Sequence, residues 1–169
     1  MLNLIGEYYI KVDAKGRVRL PSDLLTQLGL SSGGTHPFVV APGKGDYLKL
    51  HTESHWNEEV KQLMLLNRHN SKQYRLMQLR FRGARKVNLD SADRLNLPKH
   101  LMERYGIKDK IVISTFVDNM EIWAEDRFEA DSENTTPEEI DALEDEVLGG
   151  NTTEVIVPAV SVMEQSSEI

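Results

Sequence analysis

Two short segments carry side chains whose types and spacing suit contact with an anion: Asp13-Ala14-Lys15-Gly16-Arg17 and Asp90-Ser91-Ala92-Asp93-Arg94. In each, an aspartate stands four residues before an arginine. A carboxylate that opens a turn accepts hydrogen bonds from backbone N–H groups two residues on. A tight hairpin is a stiff mount for that arginine and can press its tip against a groove, and a β-ribbon can enter a major groove. Gly16 supplies a left-handed backbone position, and Lys15 adds a second cation. Asp93 stands where Gly16 stood, and Asp tolerates that conformation less well than Gly. Its carboxylate is expected beside Arg94, partly neutralising it. Two roles stay open for Arg17 and Arg94: contact with a polyanion, or an ion pair inside the turn with Asp13 and Asp90. Asp13 and Asp90 themselves read as structural turn residues rather than as an acid–base pair. Arg19, Arg82, Arg85 and Lys86 add positive charge nearby.

Other candidate chemistry is thin. His51 and His55 are four apart, a spacing compatible with a metal on a helix. A strand-to-helix boundary is expected between them, and no acid stands where a zinc protease keeps its base, so no metal site is expected. Gly43-Lys44-Gly45 lacks the rest of a phosphate loop and reads as a hairpin turn. No nucleophile, base and oxyanion donors assemble, so the chain is not expected to be an enzyme. Neither a cofactor nor a small-molecule substrate is expected.

The elements that hold the two turns occur twice. Residues 6–30 and 83–107 align without gaps at an offset of 77, matching Asp13 with Asp90, Arg17 with Arg94, Leu20-Pro21 with Leu97-Pro98, and Gly29-Leu30 with Gly106-Ile107. Tyr8, Ile10 and Val12 alternate with polar neighbours, as in a half-buried strand. Val18 and Leu20 form a second short strand. Pro21 ends it, Ser22 is placed to cap a short helix with Leu24, Leu25 and Leu28, and Gly29 stops that helix. Further strands are expected near 37–41 and 46–51. In the second copy strands are expected near 84–89, 94–97, 110–114 and 119–123, with a helix over 98–105. Trp56 falls opposite Phe128.

Residues 53–81 read as connecting helices with a break near Asn67–Asn70. A continuous helix would set Arg68, Arg75 and Arg82 along one ridge. Beyond residue 128 the character changes. Thr136-Pro137-Glu138-Glu139 is a capping-box start, followed by Ile140, Leu143 and Val147 at helical spacing, and Gly149-Gly150 stops the run. Val155-Ile156-Val157 is apolar, but no clear element is expected from 151 onward. The organisation read from this is a first repeat at 5–52, connecting helices at 53–81, a second repeat at 82–128 and an acidic tail at 129–169.

The 169 residues hold 20 Lys and Arg against 27 Asp and Glu, a net charge of −7. No base follows Arg127, while 12 acids do, so residues 1–127 carry 20 bases against 15 acids. A basic body with an acidic tail points to an anionic partner for the body. The absence of cysteine excludes disulfides, thiolate metal sites and a cysteine nucleophile. No apolar run reaches the length of a membrane span. The apolar start Met1-Leu2-Asn3-Leu4-Ile5 is short and lacks a basic flank, so no secretory signal and no membrane partner are expected.

The duplicated Asp-to-Arg turns, with Gly6-Glu7-Tyr8, the two Leu-Pro steps and Glu121-Ile122-Trp123, resemble the MraZ family of bacterial transcriptional regulators over roughly residues 5–128. That resemblance implies an α+β chain of two tandem AbrB/SpoVT-like swapped-hairpin domains, closed into a ring-like homo-oligomer. It implies binding to double-stranded DNA at promoter repeats of a cell-division and cell-wall gene cluster, in the cytoplasm and associated with the nucleoid. On this chain the implied DNA-facing residues are Lys15, Gly16, Arg17 and Arg94, with Arg19 and Arg85 beside them. The alternative is an antitoxin-like interaction module whose tail, residues 130–169, binds a partner. The duplication argues against it, since antitoxins of this fold usually carry one copy per chain.

Overall fold

The computed structural model describes residues 2–149. They fall into two compact units, divided between Ala130 and Asp131. From the N-terminus the chain forms β1 (Leu4–Lys11), β2 (Arg17–Arg19), α1 (Ser22–Gln27), β3 (His36–Pro42), β4 (Leu48–Thr52), α2 (Glu53–Met64) and α3 (Ser71–Phe81). The same seven-element order then recurs: β5 (Arg85–Leu89), β6 (Arg94–Asn96), α4 (Lys99–Arg104), β7 (Lys110–Val117), β8 (Asn119–Ala124), α5 (Glu125–Asn134) and α6 (Pro137–Val147). The helices at 125–134 and 137–147 thus occupy the places in the second run that α2 and α3 hold in the first.

The two runs do not fold side by side. The main sheet is six-stranded, in the order β1-β7-β8-β4-β3-β5, and antiparallel throughout. β1 lies on β7, from Leu4 opposite Val117 to Lys11 opposite Lys110. β5 lies on β3, from His36 opposite Leu89 to Val40 opposite Arg85. Each run therefore lends its first strand to the hairpin of the other. The two halves meet at β4 and β8, where Leu48 faces Ile122 and Lys49 faces Glu121. A second, two-stranded sheet pairs β2 with β6. Val18 and Leu95 face each other at its centre, and both are fully buried.

Strand parity sorts the side chains. Phe38, Val40, Leu48, Leu50, Ile111, Ile113 and Ile122 point into one core with Val18, Leu20, Leu24, Leu25, Leu95, Leu97 and Leu101. Their alternating neighbours Val39, Ala41, His51 and Val112 are also buried, on the opposite face. Burial of His51 pushes its imidazole pKa down to about 4, so the ring is neutral at physiological pH.

Three local expectations change. Ser22 does not cap α1: Pro21 takes the cap position, no side chain caps the helix, and Ser22 falls in the first turn. Proline's fixed φ, −61° here, carries the chain straight into the helix. The Arg68–Arg75–Arg82 ridge does not form. Asn70 caps α3 by accepting from the Lys72 and Gln73 N–H groups, so the helix restarts after Arg68, and Arg82 is already extended at φ −64°, ψ 124°. The helix over 125–134 is a further element that residue spacing alone does not announce. In the second unit, Thr136 accepts from the Glu139 N–H and caps α6 as expected. The stretch around Val155–Val157 lies outside the described residues.

Because the core is built from both runs, damage to one unfolds both. Leu95→Ala is expected to destabilise the protein by about 3 kcal/mol. Urea unfolding followed separately through Trp56 and Trp123, in single-tryptophan variants, checks this: the two curves should coincide and shift together.

Candidate nucleic-acid interface

The two turns are built alike, atom for atom. Asp13 Oδ1 accepts from the Lys15 and Arg17 N–H groups, each at 2.9 Å, and Oδ2 from Arg17 Nε at 2.8 Å. Asp90 Oδ1 accepts from the Ala92 and Arg94 N–H groups, each at 2.9 Å, and Oδ2 from Arg94 Nε at 3.0 Å. Backbone bonds Asp13 N–H to Arg17 O and Asp90 N–H to Arg94 O, both 2.9 Å, close each loop. The N–H donors, chiefly those of Arg17 and Arg94, hold both carboxyls below their ordinary value of 3.8. The intraturn ion pair, one of the two roles left open for the arginines, is therefore present in both turns. It uses only Nε, so the outer nitrogens of each guanidinium remain available as donors.

The fourth residue of each turn has positive φ, 79° at Gly16 and 59° at Asp93. That conformation turns its carbonyl toward the other run. Gly16 O accepts from the Leu97 N–H at 3.0 Å, and Asp93 O from the Leu20 N–H at 2.8 Å. The two turns are thus bolted together across β2 and β6.

Register and parity decide what this ribbon shows. With Val18 and Leu95 pointing inward, Arg17, Arg19, Arg94 and Asn96 share the outer face. Arg17 stands opposite Asn96, and Arg19 stands directly opposite Arg94. Like charges opposite each other on adjacent strands destabilise a sheet. An open groove of about 690 Å³ flanks the first turn, lined by Lys15, Gly16, Arg85, Lys86, Lys99 and Lys108 among others. Its counterpart at the second turn is lined by Lys11, Arg19, Ser32 and Asp93.

Asp93 corrects an expectation. Its carboxylate does not pair with Arg94. It is buried and turned toward the loop between α1 and β3, accepting from Ser32 Oγ and, at 2.9 Å, from the Gly33 N–H. The Ser32 bond is the main reason its pKa is lowered, and the charge it faces is Arg19. The carboxylate partner of Arg94 is Asp90.

Comparison with known proteins sets this duplicated arrangement in a family. The family model described as "MraZ protein, putative antitoxin-like" matches the chain twice, over residues 4–78 and 80–148. The chain belongs to the MraZ family. A protein named transcriptional regulator MraZ from Christiangramia forsetii is 35% identical over 89% of this chain and 96% of its own length. Those of Ligilactobacillus salivarius and Bacteroides thetaiotaomicron are 32% and 31% identical, over 75% and 88% of this chain and 84% and 94% of their own. The second MraZ match extends to residue 148 and so takes in α5 and α6.

Within this MraZ chain the structure gathers Lys15, Gly16 and Arg85 in the first groove, and sets Arg17, Arg19 and Arg94 on the ribbon face. Asn96, Lys99 and Lys108 join these sites without having been singled out. Asn96 was accessible to repeat alignment, because it is the counterpart of Arg19 at the offset of 77. Lys99 and Lys108 carried no signal beyond their charge.

The turn carboxylates give the fold an acid limit. Their folded pKa values lie below the unfolded value, so their contribution to stability is complete above about pH 4 and is lost as pH falls through the folded values. Urea midpoints measured from about pH 6 to about pH 2 should fall less steeply in Asp13→Asn/Asp90→Asn than in the parent chain.

Proposed function

We propose that this chain is a sequence-specific DNA-binding regulator of transcription. It acts as a homo-oligomer, and the family resemblance favours a ring. Its targets are repeated promoter elements of a cell-division and cell-wall gene cluster, and it works in the cytoplasm on the nucleoid. The observation that carries the reading is the ribbon face. Arg19 and Arg94 sit opposite each other with Arg17 on the same face, so three guanidinium groups are gathered on one surface of a short ribbon. Such a cluster is suited to an anionic partner. The stiff mount suits the task, since a two-stranded ribbon fits the major groove of B-DNA. The names of the relatives support the regulatory role.

Self-association is supported by large apolar side chains left exposed on α3, namely Tyr74, Leu76, Leu79 and Phe81, and by Ile5 on the edge strand β1. Several subunits would present several ribbons, and linked contacts gain by effective concentration on repeated sites.

Fluorescence anisotropy with duplex DNA from upstream of the chain's own gene tests the reading. Affinity should fall steeply with salt, with a slope of about −0.9 per phosphate neutralised. Arg17→Ala and Arg94→Ala should each weaken specific binding by about 1–3 kcal/mol. Because Asp93 is occupied with Ser32 and Gly33, the two losses should be similar. If both variants bind as the parent does, the ribbon is not the DNA-facing surface. Light scattering coupled to size exclusion checks the assembly, and a monomeric mass at micromolar concentration overturns it.

A further inference from the structure

We infer that His51, His55 and Glu59 form a binding site for a transition-metal ion of the zinc type, one per chain. Their ligand atoms all lie within 4.8 Å of one another. The strand-to-helix boundary between the histidines, which argued against a metal in the sequence, is what brings them together. His51 stands one residue before the end of β4 on the face covered by α2, Thr52 ends the strand and caps α2, and the first turn of α2 folds His55 back over His51. Glu59 follows one turn later.

The geometry fits a tetrahedral ion. His51 Nδ1 and His55 Nδ1 face each other at 3.2 Å. Two nitrogens bound to zinc at ordinary Zn–N lengths in tetrahedral geometry stand about 3.3 Å apart. Glu59 Oε1 is 3.9 Å from His51 Nδ1, within reach of a small side-chain rotation. His55 Nε2 lies 3.4 Å from Asp118 Oδ2. That contact fixes the ring so that Nδ1, not Nε2, faces His51, the usual carboxylate–histidine arrangement behind a metal. Asp118 is delivered by a tight β7–β8 turn in which Val117 has φ 57°, an uncommon conformation for a β-branched residue. His51 and Glu59 also line a cavity of about 340 Å³, which offers an entry path and room for water as a further ligand.

The surroundings set the ion class. Lys49, 3.6 Å from Glu59, and Arg80 line the same cavity. With one carboxylate against these cations the site is poor for Mg²⁺ or Ca²⁺, which need several oxygen ligands. Two imidazoles select zinc, nickel, copper or cobalt instead. The second run shows why there is one site. With Trp56 matched to Phe128, the counterparts of His51, His55 and Glu59 are Trp123, Arg127 and Asp131. Arg127 pairs with Asp46, as His55 pairs with Asp118. The first run thus carries a ligand where the second carries a plain ion-pairing arginine.

The test is titration of the full chain with Co²⁺ followed by its visible absorption, then competition by Zn²⁺. One Co²⁺ per chain with the intense bands of tetrahedral coordination is expected, displaced by one Zn²⁺ at micromolar affinity. Glu59→Gln and His55→Gln, both at partly exposed positions, should weaken Zn²⁺ binding by more than tenfold, and Asp118→Asn by about tenfold. A variant lacking His36, His69 and His100 should bind as the parent does. Circular dichroism confirms that the variants fold. Equal affinity in the parent and Glu59→Gln, or loss of binding on removing His36, His69 and His100, overturns the site. No Co²⁺ bands in the folded parent would leave His51 and His55 joined by a simple N–H···N hydrogen bond, and would overturn it equally. None of these outcomes depends on DNA binding.

Discussion

A carboxylate that gathers three N–H donors into a five-residue loop is the constraint from which the rest of this structure follows. Asp13 and Asp90 do this identically, each taking two backbone donors and one guanidinium nitrogen. In both loops so closed the fourth residue takes a positive φ. That conformation aims a carbonyl at the neighbouring run, where Leu97 or Leu20 donates to it. Local turn chemistry therefore becomes tertiary structure in a single step. It sets the pairing of β2 with β6, seats Val18 against Leu95, and leaves the arginines on the outer face.

The two turns share this frame but have diverged in what surrounds it. At the first, Gly16 lines a groove among Lys15, Arg85, Lys86, Lys99 and Lys108. At the second, Asp93 fills the corresponding place and ties itself to Ser32 and Gly33. The exchange of Gly for Asp trades backbone ease for a latch between a turn and a loop. A duplicated domain can specialise in this way, with one copy crowding cations around its groove while the other adds a latch beside its own.

Much of this was legible in the sequence because it is local. The repeat, the turn chemistry of Asp13 and Asp90, the short helices after Leu20-Pro21 and Leu97-Pro98, and the cap of α6 at Thr136 all depend on residues within a few positions of one another. Strand faces were legible too, since alternation at Tyr8, Ile10 and Val12 reports which side is buried. What alternation does not report is the partner. Nothing in the pattern of β1 says that it joins β7 instead of β3, because the two hairpins are near-equivalent surfaces. The family resemblance supplied the swapped topology that periodicity could not. The direction of the Asp93 side chain was hidden for a related reason: its partners, Ser32 and Gly33, lie some sixty residues away. So was the approach of His51 to His55, which depends on how sharply α2 leaves β4.

The exchange of first strands also bears on how the chain is made. β1 leaves the ribosome early, but its partner β7 is complete only when Val117 has been added, opposite Leu4. At bacterial elongation rates that interval is about 5–20 s. Throughout it the complementary edge within its own chain is that of β3, which β5 takes in the finished fold. Pairing of β1 with β3, within its own run, is then the error that synthesis must outrun.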